Sequence, residues 1–352
     1  MIRISTPGRI CLFGEHQDYL GLPVIPMAIS KRIRLVGTKT KSNEIVINKP
    51  DINQIEKISL QNLNYTKQRD YFKSGLNVCI NEGLIFDSGF ECEIKSEIPI
   101  QAGISSSSAI MVSWIHFLSK IAKNPQNWSN EKIGELAYKA EVEEFSEPGG
   151  MMDQISTAVG GLIYLNTHPT PNIKKIDLDL GYFVIGDSLQ PKNTISILRR
   201  CKKLRLSIIN KMKNINPDFN LTTISIQELQ NYNLSLSEIN LLNGTIKNRN
   251  FLQHAKTEFN SFSVNKNFIG NLLNKHHSIL RDTLDVSTPK IEKLINASLK
   301  SGAYGAKING SGGGGCMIAY APDNPEKVIE AINENGGKGY IVKSEIGTIQ
   351  EI

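Results

Sequence analysis

The stretch that decides the fold is Pro7-Gly8-Arg9-Ile10-Cys11-Leu12-Phe13-Gly14-Glu15-His16-Gln17-Asp18-Tyr19, continuing as LGLPVIPMAI to Ile29. Arg9, Glu15, His16 and Asp18 fall close together between glycines that let a backbone turn tightly. A polyol needs several fixed donors and acceptors, and Glu15, His16 and Asp18 are candidates to supply them. The alternative is a loop whose charges only face water. Outward from this stretch, 2–6 and 24–37 read as strands, the latter rich in β-branched residues (IRLVGT).

Three further segments carry chemistry. The run Pro99-Ile100-Gln101-Ala102-Gly103-Ile104-Ser105-Ser106-Ser107-Ser108-Ala109 opens a long apolar-rich helix from about Ser106. Unpaired N–H groups and the positive end of the dipole favour an anion there. One serine suffices for an N-cap, so four in succession point to a phosphate, with hydroxyls available to Mg²⁺. Next, Lys307-Ile308-Asn309-Gly310-Ser311-Gly312-Gly313-Gly314-Gly315-Cys316 formally satisfies GxGxxG. The dinucleotide fingerprint requires a helix to follow, whereas CMIAY reads as a strand, so the run is read as a backbone loop packed on another domain's phosphate site. No GxxxxGK[ST] occurs. Finally, Glu141 on one helix and Asp153 at the start of the next flank a Pro148-Gly149-Gly150 break that can bring them together. One can hold a metal while the other orients a hydroxyl nucleophile; the alternative is two surface or capping acids.

Composition bounds the rest. The 352 residues suit about two domains; 40% are hydrophobic, 21% charged, and no apolar run spans a bilayer. A net charge of +6 spread along the chain suits an anionic small molecule better than nucleic acid. The basic cluster Arg199, Arg200, Lys202, Lys203 and Arg205 either faces phosphates or is a solvated helix face. Five scattered cysteines without a CxxC pair indicate neither disulfides nor zinc, and with no signal-like N-terminus the expectation is cytoplasmic.

Periodicity places further strands at 44–48, 89–98, 162–166, 173–178 and from 181, and helices at 70–86, about 130–145, 152–160, 244–262, 267–282 and 289–300. AYGAKIN, CMIAY and GYIVKSEI read as strands and PEKVIEAINEN as a helix, while 214–240 matches no compact element. Strands separated by single helices give an α+β class, divided into domains 1–175 and 176–352.

Together, in this order, the four segments resemble the GHMP kinases, the small-molecule kinases that include galactokinase, homoserine kinase, mevalonate kinase and phosphomevalonate kinase. PGRICLFGEHQDYLGLPVIPMAI resembles galactokinase's first motif, and AEVEEFSEPGGMMDQ the run that ends there in PCGIMDQ. The resemblance spans Pro7 to Cys316. It implies a two-domain fold, with an N-terminal domain like ribosomal protein S5 domain 2, a ferredoxin-like C-terminal domain and a site in the cleft between them. It further implies ATP and Mg²⁺ as cofactors, Asp153 and Arg9 as catalytic residues, and Glu15, His16, Asp18 and Asp153 binding a sugar. Gly103, Ser105, Ser106, Ser107, Ser108, Gly312 and Gly313 would bind ATP, with Ser107 and Glu141 ligating the metal.

The expected reaction is phosphorylation of the anomeric hydroxyl of galactose or a related monosaccharide, by a monomer or weak homodimer acting without nucleic acid or membrane. The third motif is closer to uronic acid, arabinose or heptose kinases of the superfamily, Gln17 replaces the usual Thr, and Gly149 the usual Cys. Glu15 argues against a uronic acid, because it would repel a second carboxylate. GEHQDY argues against mevalonate or homoserine as acceptor. A silent sugar and ATP sensor on the same fold is the alternative of another class, disfavoured because the serine motif and Asp153 are both present.

Overall fold

The computed structural model describes residues 1–99, 103–168, 170–191 and 194–351, so Ile100, Gln101 and Ala102 of the serine-rich segment lie outside the described residues. The first domain is built on β1 (Ile2–Phe13), β2 (Ile25–Lys39), β3 (Glu44–Lys49), β4 (Gln54–Ser59), β5 (Phe90–Ser96), β6 (Leu162–Asn166) and β7 (Asn172–Ile176). Its helices are α1 (Tyr71–Asn81), α2 (Ser106–Ile121), α3 (Asn130–Tyr138) and α4 (Met152–Val159). The second domain adds β8 (Phe183–Asp187), α5 (Thr194–Ile215), α6 (Leu236–Phe259), α7 (Lys266–Asp282) and α8 (Pro289–Lys300). It continues with β9 (Gly305–Asn309), β10 (Cys316–Tyr320), α9 (Pro325–Glu334) and β11 (Lys338–Val342), after which β12 (Ile349–Glu351) rejoins the first sheet.

The first sheet runs β12-β1-β2-β5-β3-β4, with β6 and β7 continuing from β2, and is antiparallel except for β3 beside β5. Helix α2 lies on it through Trp114 and Phe117, both fully buried and both in ring contact with Phe90. Gly75 of α1 admits this packing, since a Cβ there would stand 2.5 Å from the Trp114 ring. The second sheet, β11-β8-β10-β9, is antiparallel throughout and buries Met317, Ala319 and Ile308 under Ile291, Leu294, Val328 and Ile332 of α8 and α9. All five cysteines are free and buried.

Four expectations change. Strand β1 does not stop at residue 6 but continues through Pro7-Gly8-Arg9 to Phe13, with a register shift at Pro7/Gly8 that accommodates the missing proline N–H. Arg9 therefore projects from a strand. The stretch 214–240 is not structureless: a 3-10 turn at Gln227–Asn231 and buried Phe219, Leu221 and Leu229 form a small core with Ile208 and Met212 of α5. Helix α6 begins at Leu236, earlier than 244, because Ser235 and Glu238 form a reciprocal capping box. The division at 175/176 falls within β7, and the last residues belong to the first domain. Ser344 and Ile346 bridge to Ile29 and Gly160, and β12 pairs with β1.

Candidate active site

Where the two domains face each other lies a cleft of about 840 Å³. Four pieces of backbone bring its residues there. Strand β1 supplies Arg9 and, past Gly14, the turn carrying Glu15, His16 and Asp18; the start of α2 supplies Ser105–Ser108. A π-helical turn, Lys139–Glu143, swings Glu141 inward at the end of α3, and Asp153 sits in the first turn of α4. From the second domain, Gly310 and Ser311 of the β9–β10 loop close the opposite side, with Thr194, Ile195 and Leu198 of α5 above.

Arg9 is buried and Asp153 faces the opening with its side chain 31% exposed. The guanidinium donates to a single carboxylate oxygen, Nε at 2.8 Å and Nη2 at 2.7 Å from Oδ1, and Nη1 donates to the Gly103 carbonyl at 2.8 Å. Although burial works against its charge, attraction to Asp153 and Glu15 holds the Arg9 pKa above its ordinary value. Asn309 also donates to Gly103 O, at 2.9 Å, so the entrance to the serine run is gripped from both domains.

At the α2 start, Ser105 adopts a left-handed conformation (φ 60°) and no side chain caps the helix. Its buried hydroxyl finds no partner among the described residues. Uncapped N–H groups beside an unsatisfied hydroxyl form a cradle for an anion. Glu141, fully enclosed, receives Gln154 Nε2 at 2.6 Å and is hydrogen-bonded by Ser107 and Ser108; burial pushes its carboxyl pKa up. One carboxylate with two adjacent hydroxyls beside an anion cradle is the partial oxygen set that magnesium takes alongside phosphate oxygens.

Asp18 is held against Gly150, where a Cβ would stand 2.1 Å from its Oδ2. Burial first, and the charge of Asp153 second, raise its carboxyl to about 6.

The structure gathers Arg9, Glu15, His16, Asp18, Gly103, Ser105, Ser106, Ser107, Ser108, Glu141 and Asp153 around this one cleft. Gly312 and Gly313 are placed differently. Gly310 and Ser311 present the loop to the cleft, whereas Gly312 packs on Val286 and Gly313 on Ile197; the three glycines lie on left-handed backbone that only glycine adopts readily.

Glu15 is not a free charge. Lys307 Nζ lies 2.6 Å from its Oε2, with both side chains essentially inaccessible, and also donates to Cys11 O. Its electrostatic argument against an acidic sugar therefore lapses. His16 has no free ring nitrogen: Nδ1 meets Tyr19 Oη at 2.9 Å and Nε2 meets Ser311 O at 3.1 Å. The ring, expected to bind sugar hydroxyls, is thus engaged here by the protein's own Tyr19 and Ser311 while lining the cleft.

Lys307, Tyr19, Asn309 and Arg205 join the expected site residues through contacts that no local motif announces. A lysine inside the otherwise apolar strand AYGAKIN was the one local signal. The basic cluster is divided: Arg199 and Lys203 are exposed, as on a solvated helix face, Arg200 binds the Leu284 and Asp285 carbonyls, and Arg205 is buried.

Comparison with known proteins accords with this geometry. The galactokinase galactose-binding signature matches residues 2–39, the GHMP kinases N terminal domain residues 70–161, and the GHMP kinases C terminal domain residues 265–338. A mevalonate kinase of Thermococcus onnurineus is 28% identical, covering 96% of this chain and 95% of its own length. A galactokinase of Clostridium tetani is also 28% identical, covering 91% of this chain and 83% of its own. The crystal structure of Lactococcus lactis galactokinase complexed with galactose superposes with a TM-score of 0.85 at 23% identity, covering 99% of this chain and 94% of that one. Among the described residues no helix is long and apolar enough to cross a membrane. With the profile matches distributed over both domains and the cleft residues drawn from each, the chain belongs to the GHMP kinases, in their two-domain fold, and carries a galactokinase-type signature.

Proposed function

We propose that the protein transfers the γ-phosphoryl group of ATP to the anomeric hydroxyl of galactose or a closely related neutral sugar. The observation that carries this reading is the acceptor wall. Asp18 and Asp153 face the cleft, while the two cations set deepest in that wall, Arg9 and Lys307, are each already paired with an acid. An acceptor that is itself a carboxylate would meet Asp18 and Asp153 there and would have to compete with these acids for Arg9 and Lys307; a polyol would meet hydrogen-bond acceptors. The galactose-binding signature at 2–39 covers the same wall.

In this reading the ATP phosphates rest on the N–H groups and hydroxyls of Gly103 and Ser105–Ser108, and Ser107 and Glu141 hold Mg²⁺, which neutralises phosphate charge when bound. Asp153 accepts the proton of the acceptor hydroxyl and orients its oxygen for in-line attack. Arg9 fixes the Asp153 rotamer by binding Oδ1 and compensates the carboxylate charge. Phosphoryl transfer asks mainly for such positioning and charge neutralisation.

Mevalonate is the competing acceptor, since curated mevalonate kinases align over nearly the whole chain. The test is ADP release with ATP and Mg²⁺ against galactose, other hexoses, pentoses, uronic acids and mevalonate, followed by identification of the product by phosphorus NMR. Galactose 1-phosphate is expected. Faster turnover of mevalonate than of any sugar overturns the acceptor assignment.

A further inference from the structure

Arg205 is a buried arginine on α5, 2% exposed, and among the described residues no carboxylate lies within ion-pair distance of it. Burying a guanidinium without a counter-charge is costly, so what it binds is informative. Its Nε donates to Cys201 O at 3.0 Å, one turn back on the helix, and its Nη2 donates across the cleft to Tyr19 Oη. The guanidinium carbon also stands 5.3 Å from the centre of the Tyr19 ring.

The chain continues from there. Because the Ser311 carbonyl can only accept, His16 Nε2 carries the ring proton and Nδ1 must accept from the Tyr19 hydroxyl. Burial, reinforced by the positive charge of Arg205, lowers the His16 pKa to about 3, which keeps the ring neutral and in that one tautomer. His16 is also held at φ 62°, a conformation that non-glycine residues adopt only when their surroundings fix it. The circuit closes on α5 itself, for Ser311 Oγ lies 3.3 Å from Thr194 Oγ1 at the first residue of that helix. Arg205, Tyr19, His16, Ser311 and Thr194 thus tie two points of α5, its first residue and Arg205, to the acceptor-side turn and to the glycine-rich loop.

We propose that Tyr19 and Arg205 are positioning residues for the transfer: through His16 they hold the Ser311 carbonyl, and with it the glycine-rich loop, in register with the acceptor-side turn. The two walls of the cleft are set together by one hydrogen-bonded chain. This rests on the kinase reading given above for its kinetic arm only. A severed chain frees the loop that faces Gly103, so nucleotide binding suffers although neither residue belongs to the phosphate cradle.

The test uses the full-length protein as wild type, Tyr19→Phe, Arg205→Met, Arg205→Lys and the double variant Tyr19→Phe/Arg205→Met. Each is titrated calorimetrically with a non-hydrolysable ATP analogue, assayed with galactose and ATP, and melted to verify folding. Loss of one buried hydrogen bond predicts about five- to ten-fold weaker analogue binding and a comparable fall in kcat for Tyr19→Phe and for Arg205→Met. Arg205→Lys recovers most of both, and the double variant is no worse than Arg205→Met alone, since both cut the same chain. Analogue affinity within two-fold of wild type for Tyr19→Phe overturns the proposal, as do additive losses in the double variant. Tyr19→Phe keeps the ring and so decides the matter even if Arg205→Met does not fold. If wild type turns over no acceptor, the kinase reading fails while the titration still tests the coupling.

Discussion

Arg9 and Asp153 meet through a single oxygen: both Nε, at 2.8 Å, and Nη2, at 2.7 Å, point at Oδ1 of the carboxylate. The arginine is buried and held by three hydrogen bonds, while the acid faces the opening, so the pair fixes where a proton can be received without enclosing the receiving group. Asp153→Asn keeps an oxygen for Arg9 but removes the basic group. It is expected to lower kcat by about 10²–10⁴-fold, with a lowered melting temperature because buried Arg9 loses its counter-charge. A coupled ADP assay beside a thermal melt checks this; a variant that keeps more than a tenth of the turnover would show that Asp153 handles no proton.

Lys307→Met leaves the Glu15 carboxylate enclosed without its counter-charge. Removing one member of a buried pair costs about 3–5 kcal/mol, so urea unfolding should shift by that amount. The double variant Lys307→Met/Glu15→Gln should regain most of the loss. Equal stability of the Lys307→Met protein and wild type would mean that Glu15 is solvated.

Gly150→Ala puts a methyl group where Asp18 Oδ2 now lies, 2.1 Å from the new Cβ. The carboxylate must move, and displacing a substrate-facing group by about 1 Å costs on the order of 10²-fold. The loss should appear in kcat/KM for the acceptor and not in KM for ATP. Initial-rate measurements with each substrate varied in turn distinguish the two, and an equal effect on both would disconnect Asp18 from the acceptor.

Asp18 also makes the reaction pH-dependent. Its carboxyl is raised to about 6 by burial first and by Asp153 second, so it is ionised at pH 8 and protonated as pH falls through 6. Acceptor KM should therefore rise between pH 7 and 5 while His16, near 3, stays neutral throughout. The linkage has the opposite sign for stability. A raised pKa means that the folded state holds the proton more tightly, so this group's contribution is full below its ordinary value near 4 and lost as pH climbs through 6. Asp18→Asn should thus be more heat-stable than wild type at pH 8 and lose that advantage at pH 4.

Much of the cleft was legible in the sequence because its residues occur in short local runs whose chemistry is dense: Arg9 to Asp18, the serines, and Glu141 to Asp153. The helix starting at Ser106 and the break at Pro148-Gly149-Gly150 are equally local. What escaped the reading depends on distant partners. Nothing near Glu15 says that Lys307 will neutralise it, and nothing near His16 says that Ser311 and Tyr19 will occupy its ring. Strand β12 escaped for the same reason, since Ile349, Gln350 and Glu351 carry no periodicity and become a strand only by lying along β1. The glycine run misled in detail: five left-handed glycines signal a special backbone, but which of them faces the cleft depends on Val286 and Ile197 packing behind Gly312 and Gly313.

That borrowed strand sets the order in which the molecule can be finished. Arg3, Ile4 and Ser5 find their partners in Glu351, Gln350 and Ile349, and Thr348 bonds both Thr6, at 2.8 Å, and His116, at 2.9 Å. A chain emerging from the ribosome must therefore wait, with the outer edge of β1 bare, until the whole second domain has followed it out. An open strand edge invites pairing with other chains, so a form lacking residues 348–351 is expected to aggregate, and its weakness lies in the first domain although the missing piece follows the second in sequence.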